Sequence, residues 1–90
     1  MSMNVAANPD EIIRFANQLQ NYIDHLQEET ASISSAYNQV GNEWSDGKYA
    51  ELGEALNAMR SQMQAFCEKA QEQIPHLHNM AERLYEYQHS

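Results

Sequence analysis

The residues best suited to binding a metal ion are four histidines, but their spacing does not favour it. His76 and His78 lie two positions apart, which on a helix places their rings about 160° apart, on opposite faces. His25 and His89 have no acidic or cysteine partner at a recognised ligand spacing. We therefore expect solvated surface histidines, no metal site and no cofactor.

Nucleophilic and acid–base chemistry have no better support. Cys67 is the single cysteine, has no cysteine or histidine at catalytic spacing, and its place beside Phe66 suits a small buried side chain. Glu28 and Glu29 are adjacent acids in a helical pattern, with no concave site around them to make either a general acid. We expect no catalytic residue and no enzyme activity.

The only tryptophan, Trp44, lies in the segment Gly-Asn-Glu-Trp-Ser-Asp-Gly-Lys-Tyr at 41–49, between two long helical patterns. This composition predicts a turn. Gly41 follows the last periodic apolar residue and can close the first helix in the left-handed conformation. Either Ser45 or Asp46 can cap the second helix.

Two roles for Trp44 remain open. In the first, the indole closes the end of the hairpin, with Gly47 giving the backbone room to approach and with Val40 and Tyr49 packed nearby. In the second, the ring contacts another protein. The candidate interaction residues of the turn are Trp44, Asp46, Gly47 and Tyr49.

The first helix has a clear start signal. Asn8 can cap it, Pro9 suits the first helical position, and Glu11 can close a capping box. Three parallel rows then give an apolar face three positions wide: Ile12, Leu19, Leu26, Ile33 and Val40; Phe15 and Tyr22, continuing into Glu29 and Ala36; and Ala16, Ile23, Thr30 and Tyr37.

The second helix repeats the seven-residue spacing in two main rows. Tyr49, Leu56, Met63, Ala70, Leu77 and Leu84 form one; Leu52, Met59, Phe66, Gln73, Met80 and Tyr87 form the other, while Cys67, Ile74 and Ala81 widen the face. The methionines suit an ordinary core, or a surface that repacks against a partner. Because the phase survives Pro75, we expect a kinked but continuous helix, with a helix ending near Gln73 as the alternative.

A tight turn between two long helices makes them antiparallel. We predict an all-α fold: one helical-hairpin domain over 1–90, with helix 9–41, turn 41–47 and helix 46–88 kinked near Pro75. A lone hairpin would leave Ile13, Ile23 and Ile74 partly wet, so we expect a dimer forming a four-helix bundle. The predicted core and dimer face comprises Ile12, Phe15, Leu19, Tyr22, Ile23, Leu26, Ile33, Leu52, Leu56, Met59, Met63 and Phe66.

Composition limits the partners and the location. Thirteen acids against five bases give a net charge of −8, which repels nucleic acid and anionic lipid. No segment has the roughly 20 apolar residues of a membrane-spanning helix. The first seven residues do not resemble a signal-peptide core. We expect a protein without membrane insertion that is cytoplasmic or secreted without a cleaved signal peptide.

Two long helices with heptads around a central Trp-x-x-Gly turn resemble the WXG-motif family of small helical hairpins associated with type VII secretion. The resemblance implies antiparallel homodimers or heterodimers without enzyme activity, exported without a cleaved signal or serving as partners of larger exported toxins. Here Gly47 stands one place later than in the family's Trp-x-Gly motif. The family's tail signal, a tyrosine with an acid four residues on, is replaced by Tyr85 and His89.

The resemblance thus implies a protein-binding hairpin that is a type VII secretion substrate or its partner subunit. Its partner would be a second copy or a similar hairpin, with a secretion-machinery component or a larger toxin as further partners. The alternative is a cytoplasmic coiled-coil adaptor or structural protein unrelated to secretion. An enzyme or metal protein would need a cleft or a ligand cluster that the sequence does not contain.

Overall fold

The computed structural model describes residues 8–89, which form two helices. Helix α1 spans Pro9–Val40 and helix α2 spans Gly47–His89. The helices pack against each other as an antiparallel hairpin of 65 × 25 × 16 Å. The predicted all-α hairpin is confirmed, while the expectation for the first seven residues lies outside the described part.

The start of α1 follows from residues 8–11. The Asn8 side-chain oxygen accepts a hydrogen bond from the Asp10 amide at 2.9 Å, and Pro9 occupies the first turn, where its missing N–H costs nothing. Glu11 does not form the expected capping box: its carboxylate pairs with Arg14 one turn later. The cap therefore depends on Asn8.

The contact between the helices runs along the row that contains Ala16 on α1 and along Cys67 and Ala70 on α2. Ile23, Cys67 and Ala70 form the buried centre, and Leu19 and Met63 are among the half-buried residues packed against it. Ala16, Ile23 and Thr30 are buried on α1, whereas Ile33 and Val40, from the row that begins at Ile12, are exposed. The prediction that Ile23 would be partly wet is wrong, because this residue is completely buried.

Small residues explain this choice of contact. Alanine and cysteine let two helix backbones approach more closely than phenylalanine or tyrosine would, and close approach brings more atoms into van der Waals contact. We call this line of contact the seam. The rows that contain Phe15 and Tyr22 on α1 and Phe66 on α2 lie to one side of the seam and not within it.

Helix α2 continues through Pro75 without interruption and does not end near Gln73. Proline lacks the amide that would bond to the carbonyl four residues earlier, on Gln71. Pro75 is exposed, so water can solvate that carbonyl. Within residues 8–89, neither helix carries an apolar stretch that could span a membrane.

Candidate interaction surfaces

At the end of α1 the backbone remains right-handed and closes with hydrogen bonds between residues three or four apart. Gly41 has φ −61° and ψ −16°, so the prediction of a left-handed cap is wrong. The Gly41 and Asn42 amides bond to the Tyr37 and Gln39 carbonyls, and the Glu43 and Trp44 amides both bond to the carbonyl of Val40. These bonds satisfy three of the last four carbonyls of α1 without a left-handed residue.

Asp46, and not Ser45, caps α2. One carboxylate oxygen accepts hydrogen bonds from the Lys48 amide at 3.0 Å and the Tyr49 amide at 3.1 Å, both in the first turn. The same oxygen accepts the indole N–H of Trp44 at 2.7 Å. Asp46 thus fixes the helix start and the tryptophan ring together.

Trp44 is held on two sides and remains 36% exposed. Its ring meets Tyr49 edge-on, with ring centres 5.2 Å apart and planes at 71°. The indole N–H donates to the Asp46 carboxylate. The accessible part of the side chain is therefore the aromatic ring.

Behind the tip, Tyr37 and Tyr49 form a reciprocal contact, which we call the tyrosine clasp. The Tyr37 hydroxyl donates to the Tyr49 carbonyl at 2.6 Å, and the Tyr49 hydroxyl donates to the Tyr37 carbonyl at 3.0 Å. The rings stack 4.1 Å apart and within 3° of parallel. Each helix thus supplies one ring and one acceptor to the other.

Two glycines make room for the clasp. A Cβ atom on Gly41 would overlap the Tyr49 hydroxyl, and one on Gly53 would overlap the Tyr37 hydroxyl. Gly47 was predicted to allow close backbone approach, and this is wrong: a Cβ there would have no neighbour within 4 Å. Gly47 begins α2 in open space.

The clasp was not predicted, although a tyrosine–glycine spacing in the sequence indicates it. Each helix has a tyrosine followed by a glycine four residues later, Tyr37 with Gly41 and Tyr49 with Gly53. Four residues are about one helical turn, so each glycine lies on the same face as its tyrosine. Across an antiparallel pair, such a repeat places each phenol against the glycine of the other helix.

The clasp changes the acidity of one phenol. Burial raises the pKa of Tyr37 above its ordinary value, and the hydrogen bond with Tyr49 raises it further. Both effects favour the neutral form, because a phenolate at this half-buried position would lose part of its hydration and could no longer donate to the Tyr49 carbonyl.

One face of the hairpin carries an exposed apolar strip. Tyr22 of α1 and Phe66 of α2 meet edge-to-face with ring centres 6.1 Å apart, so the aromatic rows of the two helices join. At 3.6 residues per turn, six further exposed apolar residues fall on the same side of the seam, whereas Tyr85, which is also exposed, does not. We define the apolar strip as Phe15, Tyr22, Ile33, Val40, Leu52, Met59, Phe66 and Met80, which are between 37 and 54% exposed.

The predicted core and dimer face divides between seam and strip. Ile23 is buried, whereas Ile12, Leu19, Leu26, Leu56 and Met63 are half-buried in or beside the seam. The remaining members of the predicted face are exposed on the strip: Phe15, Tyr22, Ile33, Leu52, Met59 and Phe66.

The opposite face is polar. A groove of about 600 Å³ lies there, lined by Thr30, Ser34, Asn57 and Arg60 among others. The Ser34 hydroxyl is buried and has no hydrogen-bond partner. Helical geometry also places several acids on this side: Asp24, Glu28, Glu54, Glu68 and Glu72.

The residues considered for chemistry are placed apart from one another. Cys67 is buried and contacts the Met63 sulfur at 3.4 Å, as a small core side chain would. His25 and His89 each contact the carbonyl one turn earlier in their own helix. Within residues 8–89, no three His, Cys, Asp or Glu side chains are grouped to hold a metal ion.

Comparison with known proteins adds no relative: no protein-family model, curated protein or solved structure matches this chain.

Proposed function

We propose that this chain is a non-enzymatic protein-binding hairpin whose apolar strip packs against a second copy or a similar hairpin to form a four-helix bundle. The single observation that carries the proposal is the strip. Eight side chains about half exposed leave on the order of 600 Å² of apolar surface, at the upper end for the largest patch of a monomer. An interface of standard size buries about 800 Å² per partner.

Charge distribution favours a second copy in spite of the net charge of −8. The acids of the polar face lie opposite the strip, so packing strip on strip leaves them in water on the outer sides of the bundle. Acids that border the strip, such as Glu29, are screened by salt over about 8 Å. Apolar burial can therefore exceed the repulsion between the two copies.

A role as a type VII (WXG-like) secretion substrate or partner subunit is the form of this function that we favour. It is supported by the hairpin, the central Trp44 turn and the one-sided strip. A cytoplasmic coiled-coil adaptor is the alternative, since it would use the same strip. Export of the chain from a host with and without a type VII ATPase separates the two.

Association is tested by a pair of lysine substitutions two residues apart on α2. Phe66→Lys places a charge in the strip, and Gln64→Lys places the same charge beside the polar groove. We expect the wild type and Gln64→Lys to sediment as dimers and Phe66→Lys as a helical monomer. A wild-type chain that remains a folded monomer at micromolar concentration, alone and with a similar hairpin present, would refute the proposal.

A further inference from the structure

The tip has a surface that the strip does not use. Trp44 lies beyond the seam, and its indole N–H is occupied by Asp46. A partner therefore gains no hydrogen bond from the side chain. What remains available is the π surface of a ring that is 36% exposed and fixed in place by Tyr49.

The charged residues near Trp44 in the sequence are mainly negative. Glu43 precedes Trp44 directly, and within residues 8–89 its carboxylate forms no ion pair. Lys48, in the first turn of α2, is the base nearest to Trp44 in the sequence; its ammonium nitrogen lies 3.8 Å from the Glu51 carboxylate, with both side chains largely in water. A fixed aromatic ring, next in sequence to an acid that forms no ion pair and on a chain of charge −8, suits a cation.

We propose that the tip binds an arginine side chain of a partner protein, with the guanidinium over the Trp44 ring and one edge directed to the Glu43 carboxylate. Guanidinium is planar and weakly hydrated, so it can stack on a ring and donate to a carboxylate at once, which an ammonium group does less well. Asp46 is a positioning residue, since it holds the ring by its N–H. The inference rests on the proposed protein-binding function and concerns a different surface from the strip.

The single tryptophan makes the test direct, because all indole fluorescence comes from Trp44. The probes are three capped tripeptides, glycine-X-glycine, in which X is arginine, its neutral isostere citrulline, or leucine. We expect saturable quenching by the arginine peptide, with a Kd about two to five times lower than for citrulline. The indole N–H should stay protected from solvent exchange when the peptide is bound, because its bond to Asp46 persists.

Two variants that remove the same charge locate the site. Glu43→Gln should weaken arginine-peptide binding about twofold and leave citrulline binding unchanged. Glu68→Gln, far along α2 from the tip, should leave both unchanged. Equal binding of the citrulline or leucine peptide, equal effects of the two variants, or no saturable quenching by the arginine peptide would each overturn the proposal. Sedimentation of the same samples reports on the strip separately, so failure at the tip is distinguishable from failure to dimerise.

Discussion

At the scale of single residues, the three glycines show how one residue type serves different purposes. Gly41 and Gly53 occupy positions where a side chain would displace a tyrosine hydroxyl, whereas Gly47 has open space around it. None of the described glycines has a positive φ angle. Their importance therefore comes from missing volume and not from backbone conformation.

This contrast predicts that replacing glycine by alanine stabilises the fold at Gly47 and destabilises it at Gly53. Gly47→Ala should raise the free energy of unfolding by about 0.5–1 kcal/mol, because alanine favours the helix. Gly53→Ala should lower it by about 1–3 kcal/mol, since the new methyl group displaces the Tyr37 hydroxyl from its bond to Tyr49. Urea denaturation of both variants checks this; a stabilised Gly53→Ala would contradict the role of the clasp.

The raised pKa of Tyr37 predicts a dependence of stability on pH. The folded chain holds the phenol proton more tightly than the unfolded chain, so the Tyr37 contribution is present below the unfolded pKa of about 10 and is lost as pH rises through the folded pKa. In Tyr37→Phe, unfolding free energy should fall less steeply above pH 10 than in the wild type. Tyr85→Phe, which removes an exposed phenol outside both the clasp and the strip, is the matched control and should follow the wild type.

At the scale of the helices, the sequence predicted the elements but not which rows pack together. Antiparallel pairing, the Asn8 cap and a helix through Pro75 follow from local signals. On α1, the row that is apolar throughout, from Ile12 to Val40, is half-buried or exposed, whereas the row that contains Thr30 supplies the buried residues, so hydrophobicity alone does not select the seam. The seam is decided by side-chain volume, because Ala16, Cys67 and Ala70 permit close helix approach.

The contacts of the turn were harder to predict from the sequence than the helices. Asp46 was one of two capping candidates, and only the geometry of its carboxylate selects it. The clasp was missed because it depends on contacts between residues 12 positions apart in two different helices. Propensity rules for glycine in turns led to the left-handed assignment of Gly41, while the actual constraint came from Tyr49.

The two prolines give a prediction about helix continuity. Pro75→Ala restores an amide that can donate to the Gln71 carbonyl inside α2. The substitution should raise the helicity, and it should raise the free energy of unfolding by about 1–3 kcal/mol. Pro9→Ala, at the first helical position, should change stability by less than about 1 kcal/mol, because no hydrogen bond is missing there. Circular dichroism with urea denaturation measures both. A loss of stability in Pro75→Ala would mean that the native conformation at this position requires proline.

At the scale of the whole molecule, the hairpin has two unlike faces. Apolar side chains gather on one and acids with a polar groove on the other, while Ile23 is the one large side chain that the seam between them buries completely among the described residues. Two helices alone bury little volume, and the strip leaves its aromatic rings half in water. The isolated hairpin should therefore be only marginally stable.

If the strip packs on a second copy, stability must depend on concentration. Dimerisation contributes by mass action, so the Tm should rise as the protein is concentrated, in proportion to the logarithm of its concentration. Phe66→Lys should have a lower Tm that does not vary with concentration, whereas Gln64→Lys should follow the wild type. Differential scanning calorimetry over a wide dilution series measures this. A wild-type Tm that stays constant would contradict dimer-coupled folding.

The tyrosine clasp also has a consequence for the order in which the chain folds. It joins residues only 12 apart, whereas contacts at the far end of the hairpin join residues separated by most of the chain. Closing the shorter loop costs less entropy, so folding should begin at the tip and proceed toward the open end. Gly53→Ala should then mainly slow folding, and Ala16→Gly, near the open end, should mainly speed unfolding, which stopped-flow kinetics would resolve.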